Sequence, residues 1–163
     1  RKIRLMCLNL NNGDLKIIED EQTPSHFTWR NDEQLLVTTI DKSLMWRYCI
    51  YDINTGTIEN LDLDIKQDGH PMLNPKYPYI MLSDSYPDKL RDQHLYITNL
   101  NTRKTLNLSK FYSPYKFNGQ PRCDLHPRWD RKGEAVVVDT AFSGIRQMAI
   151  LKVDIKSIID ELK

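Results

Sequence analysis

A repeated segment constrains the fold of this chain more than any other feature of its sequence. Three stretches align without a gap: SHFTWRNDEQLLV from Ser25, GHPMLNPKYPYIM from Gly69 and LHPRWDRKGEAVV from Leu125. Each has a histidine in its second position, followed by a polar turn and an apolar run typical of a β-strand. The histidines at 26, 70 and 126 recur at spacings of 44 and 56 residues, which indicates one supersecondary unit repeated along the chain.

A second pattern follows each of these segments. It consists of an alternating strand, a turn rich in Asn, Asp and Gly, and another strand, which together predict a β-hairpin. The copies are RYCIYDINTGTIENLDL from Arg47, HLYITNLNTRKTLNL from His94 and RQMAILKVDIK from Arg146, with RLMCLNLNNGDLKII from Arg4 as an earlier one. Each full repeat therefore carries about four short strands, and the chain is predicted to be all-β.

Four antiparallel strands in each repeat are typical of one blade of a β-propeller. About three and a half blades cannot close a ring of the usual four to eight or so. We therefore expect the C-terminal part of a larger propeller, or half of one that another chain completes. The predicted parts are the outer strands of one blade at residues 1–22, whole blades at 23–66 and 67–120, a last blade at 121–155 and a C-terminal helix at 156–163.

Composition and charge exclude two classes of partner. The 163 residues include 23 Lys and Arg against 22 Asp and Glu, a net charge of +1, so no basic excess points to nucleic acid. No apolar run approaches the roughly 18 residues of a membrane span. The sequence opens at Arg1 directly on a strand-like stretch, which predicts a partial or processed chain and leaves cytoplasm and periplasm open.

One pair of residues has the spacing of metal ligands. Asp124 and His126 are two apart, so on an extended strand their side chains point to the same face. His70 occupies the same repeat position as His126, and matching positions on successive blades approach each other around a propeller's channel. These residues thus form a candidate site for a divalent metal. The alternative is that the repeated histidines only bond to the backbone of a neighbouring blade.

The segment HPRWDRKGEAVVVD, residues 126–139, resembles the blade motif of TolB-like six-bladed propellers. Within that group, the chain is most similar to the oligogalacturonate lyase branch. This resemblance implies a divalent metal, manganese in that family, held by His70, His126 and Asp124, where Asp124 replaces a family histidine. Pro121 stands at the position of the family's glutamine ligand, and Gln120 is the neighbouring candidate for that role.

The same resemblance implies β-elimination on a uronate-containing oligosaccharide, with His26 at the position of the family's base. We also predict that Arg122 is catalytic, because Arg122 neighbours Asp124 in the sequence. An anionic sugar favours guanidinium groups and aromatic rings as contacts. The predicted substrate-binding residues are Arg128, Arg146, Asp84 and Tyr86.

Two other functions stay open on the residues alone. The first is a non-catalytic TolB-like propeller that binds a protein or glycan partner on its channel face. The second is the gating domain of a prolyl-oligopeptidase-like hydrolase, which requires a hydrolase sequence downstream. The chain has no GxSxG, HExxH, P-loop or dinucleotide-binding motif, so other familiar catalytic classes find no support.

Overall fold

The computed structural model describes residues 3–19 and 21–163. Within these residues the chain is almost entirely β, with four antiparallel sheets and one α-helix. It divides into two compact units, of which the first ends at Asp68 and the second begins at Gly69. The described part contains no helix with the length and apolar character that a membrane crossing requires.

The first unit holds two sheets. One is a hairpin of two strands, and the other has four strands paired in the order of the sequence, each antiparallel to its neighbour. The hairpin consists of β1 (Leu5–Leu8) and β2 (Leu15–Glu19). The larger sheet consists of β3 (Thr23–Trp29), β4 (Gln34–Ile40), β5 (Trp46–Asp52) and β6 (Ile58–Asn60).

The second unit also holds two sheets, each with its strands paired in sequence order. Its first sheet has four antiparallel strands in sequence order, and its second has three. The first comprises β7 (Met72–Leu73), β8 (Ile80–Asp84), β9 (Asp92–Asn99) and β10 (Thr105–Tyr112), followed by a 3₁₀ turn at Tyr115–Phe117. The second comprises β11 (Arg128–Trp129), β12 (Ala135–Thr140) and β13 (Gln147–Lys152), followed by helix α1 (Ile155–Glu161).

The turn between β5 and β6 shows why the Asp-x-Asn-Thr-Gly sequence closes a hairpin. The Asp52 side chain accepts hydrogen bonds from the backbone N–H groups of Asn54 and Thr55 at 3.1 and 2.9 Å. Gly56 then adopts a φ of +73°, which glycine reaches without a steric penalty, and its N–H bonds to the Asp52 carbonyl.

The core of the second unit lies between its two sheets and the helix. Leu82, Leu95 and Leu125 have no exposed surface and pack in one apolar cluster with Val136 and Leu162. The apolar runs of β8 and β12 supply this cluster because both are second strands, flanked by a partner on each side. Burial of such side chains is the main stabilising contribution of the unit.

Helix α1 closes the open side of this core. Asp154 is its N-cap: the carboxylate accepts from the Ser157 N–H at 3.2 Å and from its hydroxyl at 2.9 Å. Ile155 and Leu162 are buried at either end. The Leu162 carbonyl beyond the helix accepts from the Thr102 hydroxyl at 2.6 Å, so the helix is tied to the β9–β10 turn.

Asn74 ties the two sheets of the second unit together. Its Oδ1 accepts from the backbone N–H groups of Lys76 and Tyr77, while its Nδ2 donates to the Gly133 carbonyl at 3.0 Å. Gly133 has a φ of +69°, and a Cβ placed there would lie 2.5 Å from the Asn74 Oδ1. This position therefore requires glycine both for its backbone and for its contact.

We expect Gly133→Ala to lower the free energy of unfolding more than Gly119→Ala. Both glycines are left-handed, with φ of +69° and +66°, so each alanine costs about 1–2 kcal/mol in backbone strain. Space is open around Gly119, whereas Gly133→Ala also displaces the buried Asn74, roughly a further 1–3 kcal/mol. Urea unfolding of the two variants measures the difference, and equal losses would contradict this account of Gly133.

Candidate metal centre

Three side chains predicted as ligands meet in the second unit. His70, Asp124 and His126 each offer one ligand atom, and these atoms all lie within 4.8 Å of one another. The two imidazole rings are tilted by 53° with their centroids 4.1 Å apart. Residues from two successive repeats therefore converge on one point, as the hypothesis of a shared site requires.

The backbone on both sides of Asp124 is anchored. The buried Gln93 side chain donates to the Cys123 carbonyl at 3.0 Å. Leu125 is completely buried, and its carbonyl accepts from the Asp139 N–H at 2.8 Å. Because its neighbours are held on either side, Asp124 presents its carboxylate at a defined place beside the histidines.

A second anchor orders the segment KFYSPYKFNGQPRCD, residues 110–124, which is an insertion before the third repeat. The guanidinium of the buried Arg91 donates to the Ser113 carbonyl at 2.9 Å, to the Ser113 hydroxyl and to the Asn118 side chain. The insertion then turns at Gly119, whose carbonyl accepts from the Arg122 N–H. The chain thus enters the site from an ordered loop.

The Asp84 carboxylate holds both histidines. One oxygen accepts from the His70 N–H at 2.7 Å, and the other accepts from the His126 N–H at 3.1 Å. The His70 Nδ1 lies 2.9 and 3.0 Å from the two oxygens. Asp84 is only 1% exposed, and we predicted it from the sequence as a substrate ligand.

His126 has an unusual backbone. Its φ is +41°, in the left-handed region that non-glycine residues seldom occupy. It also precedes Pro127, and a residue before proline normally takes an extended conformation. Strain of this kind costs roughly 1–3 kcal/mol and persists only where surrounding contacts enforce it. The hydrogen bond from the His126 N–H to Asp84 is one such contact.

Arg122 is engaged inside the site. Its Nε donates to the Asp124 Oδ1 at 2.5 Å, and its guanidinium carbon lies 4.3 Å from the centre of the Tyr86 ring. Tyr86 in turn meets the edge of His70, at a centroid distance of 6.2 Å. These contacts place Arg122 and Tyr86 beside the three candidate ligands.

The other two arginines have partners of their own. Arg128 donates to the Asp139 carboxylate at 2.9 Å, and that carboxylate lies 3.9 Å from the His126 Nδ1. Arg146 donates to the backbone carbonyls of Pro121 and Arg122. An open depression of about 520 Å³ is lined by Arg122, Cys123, Asp124, His126, Asp139, Arg146, Gln147 and Met148.

Two other residues predicted for the site are Gln120 and His26. Gln120 is exposed in the turn that precedes Arg122, and its role as a ligand stays a prediction. His26 lies in the first unit, where its Nε2 is 3.6 Å from Asp68, and its role as a base also stays a prediction. The Ser25 hydroxyl donates to the same Asp68 oxygen at 2.8 Å.

The surroundings of His126 favour its neutral form. Partial burial is the larger cause that lowers its pKa, and the nearby His70 lowers it further, while the carboxylates of Asp84, Asp124 and Asp139 act in the opposite direction. Neutral imidazole is the form that donates a lone pair to a metal ion. The electrostatics of His126 are therefore compatible with a role as ligand.

Solved structures with a similar fold include two β-propeller proteins. TolB from Acinetobacter baumannii superposes with a TM-score of 0.74 and 15% identity, over 93% of this chain and 35% of TolB. An oligogalacturonate lyase in complex with manganese superposes with a TM-score of 0.73 and 16% identity, over 91% of this chain and 40% of the lyase. The chain has the TolB-like β-propeller fold.

The predicted fold class is thereby confirmed, and the chain spans 35% to 40% of the length of these two propellers. No protein-family model and no curated protein sequence matches it. At 15% and 16% identity the likeness concerns the fold alone. Any function must be inferred from the site itself.

We expect the NMR titration midpoint of His126 to lie below 6.5, the ordinary value for histidine. His70→Gln should raise it only in part, because burial is the larger cause, and His94→Gln serves as the control that leaves it unchanged. Since the unfolded chain then binds protons more readily, the contribution of His126 to stability falls as the pH drops through 6.5. A midpoint above 6.5 would contradict this reading.

Proposed function

We propose that the second unit binds one divalent metal ion through His70, Asp124 and His126. The observation that carries the proposal is the convergence of these three ligand atoms within 4.8 Å of one another. Two imidazoles and one carboxylate, with the remaining positions open, form a donor set that first-row divalent metals accept. Manganese is the ion we favour, because the similar lyase structure contains it.

The donor set fits such an ion in its details. The His70 Nδ1 lies within hydrogen-bonding distance of the Asp84 carboxylate, so Nε2 is the atom of that ring that would coordinate the metal. Arg122 occupies one oxygen of Asp124, and the second oxygen remains for the metal. The close approach of the two rings, at 4.1 Å, is also favourable when both imidazoles are neutral and share an ion.

We further propose that the metal serves β-elimination on a uronate-containing oligosaccharide. When bound, a divalent ion supplies a Lewis acid that neutralises the uronate carboxylate. A base removes the proton on the adjacent carbon, the C–H electrons form a carbon–carbon double bond, and the glycosidic C–O bond breaks. Its electron pair leaves on the glycosidic oxygen, which takes a proton from solvent to become a hydroxyl group. The sequence hypothesis assigns the base to His26, in the first unit.

The proposal assigns orientation of the substrate to residues around the depression. Arg122 carries a positive charge beside Asp124 and His126, where a guanidinium can form two parallel hydrogen bonds with a carboxylate. Tyr86 supplies a ring against which Arg122 rests. Arg128 and Arg146 contribute further positive charge, partly offset by Asp139.

A non-catalytic propeller that binds a protein partner is the second candidate. The observation that favours it is the internal pairing of all three arginines: Arg122 with Asp124, Arg128 with Asp139, and Arg146 with backbone carbonyls. A substrate carboxylate must compete with these partners. In this second reading the histidines and Asp84 stabilise the fold, and the surface of the depression contacts the partner.

We expect the purified chain to bind one Mn²⁺ ion, measured by isothermal titration calorimetry and by loss of the free-ion EPR signal. Asp124→Ala and His126→Ala should each weaken binding by at least about tenfold, because each removes a ligand atom. His94→Gln is the matched control, since His94 bonds to Asp88 and Asn107 rather than to the candidate ligands. Absence of binding, or equal affinity in all variants, would rule out the metal site.

Lyase activity is tested by incubating the metal-loaded chain with uronate oligomers and recording the ultraviolet absorbance of the unsaturated uronate product. We expect the absorbance to rise with the wild-type chain and to fall by at least about a hundredfold in rate with Arg122→Ala, which removes a charge placed at the transition state. A chain that binds Mn²⁺ but yields no unsaturated product would leave the non-catalytic propeller as the better reading.

A further inference from the structure

We propose that Asp84 is the positioning residue of this site: it sets the tautomer of His70 and holds His126 in its left-handed conformation, so that both rings face Asp124. This inference rests on the proposed metal site only for the predicted change in metal affinity. The tautomer of His70 and the conformation of His126 are argued from the hydrogen bonds of the Asp84 carboxylate, which do not require a bound ion. Asp84 therefore acts through the two histidines rather than through direct contact with a substrate.

The tautomer follows from the distances. An ionised carboxylate can only accept hydrogen bonds, and both Asp84 oxygens lie within 3.0 Å of the His70 Nδ1. The proton of a neutral His70 is therefore on Nδ1, and Nε2 carries the lone pair of the ring. A carboxylate that fixes the ring of a ligating histidine in this manner raises the basicity of its donor nitrogen.

The hold on His126 follows from the backbone contacts. Asp84 accepts from the N–H groups of His70 and His126, which belong to successive repeats 56 residues apart. The side chain is 1% exposed, so water does not replace either bond. One buried carboxylate thereby joins the starts of two repeats and enforces the strained φ of +41° at His126.

The strand pairing identifies the counterparts of Asp84 in the other repeats. Met72 pairs with Leu82, Arg128 with Val137 and Thr28 with Leu36, so the position of Asp84 is taken by Asp139 in the third repeat and by Thr38 in the first. Asp139 lies 3.9 Å from the His126 Nδ1 and accepts from Arg128. Asp84 differs from it because its carboxylate accepts from the backbone N–H groups of two histidines in successive repeats.

The first test needs no variant and no metal. In the ¹⁵N-labelled wild-type chain, at a pH about two units above the ordinary histidine value, long-range ¹H–¹⁵N correlation spectra report which ring nitrogen carries the proton. We expect His70 to be protonated at Nδ1, with Nε2 resonating as an unprotonated nitrogen. Protonation at Nε2 instead would overturn the proposal.

The second test compares Asp84→Asn with Asn74→Ala. The asparagine amide has one accepting oxygen in place of two, so it cannot serve His70 and His126 together. Mutation of such a supporting residue typically lowers metal affinity about 10- to 100-fold, and we expect a loss of this size for Mn²⁺ together with loss of the Nδ1–H preference of His70. Asn74→Ala removes an equally buried hydrogen-bonding side chain and should lower the melting temperature without changing the affinity.

The outcomes separate this proposal from the metal site itself. Wild-type affinity and an unchanged tautomer in a folded Asp84→Asn variant would overturn the role of Asp84. A wild-type chain that binds no Mn²⁺ but shows His70 protonated at Nδ1 would refute the metal site and leave the positioning role supported. A loss of affinity equal to that of Asn74→Ala would count against Asp84, because it would reflect stability alone.

Discussion

The burial of each second strand is the constraint on which the rest of this structure depends. Strands β4, β8 and β12 each pair with a neighbour on both edges, and their apolar runs supply residues such as Val37, Leu82 and Val136 with no exposed surface. Each of these strands buries at least three of its residues, so a slip by one residue would place different side chains in the packed interior. The register of each sheet is set by that requirement, and so are the places where its loops emerge.

The candidate metal centre lies where those strands end. Asp84 is the last residue of β8, and its carboxylate reaches the start of its own repeat at His70 and of the next at His126. Burial makes these hydrogen bonds important for stability, because a buried carboxylate without hydrogen-bond partners raises the free energy of the folded state. The hydrogen bond from the His126 N–H holds the strained backbone of His126 and also gives the buried Asp84 carboxylate one of its partners. The ligand atoms are therefore held together without help from an ion.

The electrostatic character of the site is mixed. Arg122 and Asp124 neutralise each other in part, and Arg128 does the same with Asp139. The depression is lined by Arg122 and Arg146, with Arg128 paired to its Asp139, and it is therefore less positive than these arginines alone would make it. An acidic ligand gains attraction there only by exchanging partners with these pairs, so its affinity is modest compared with that of an arginine cluster free of carboxylates.

Much of the fold and part of the site could be predicted from the sequence. The repeat and its hairpin turns predicted four-stranded antiparallel sheets, because alternation and Asn-Gly or Thr-Gly turns act over a few residues. The spacing of Asp124 and His126, and the shared repeat position of His70, predicted the group of three that the structure brings together. The bridging role of Asp84 was missed, although the recurrence of a carboxylate near the end of the second strand, as Asp84 and Asp139, was a readable signal.

The amino-acid sequence by itself determined the strands, the turns and the three residues with the chemistry of metal ligands, since each depends on local pattern or on the repeat. Only the tertiary structure decided that Asp84 bonds to residues 14 and 42 positions away, and that each arginine is already paired. The physical reason is that a buried carboxylate takes whichever donors the packed strands bring to it, and no local pattern of residues specifies those donors.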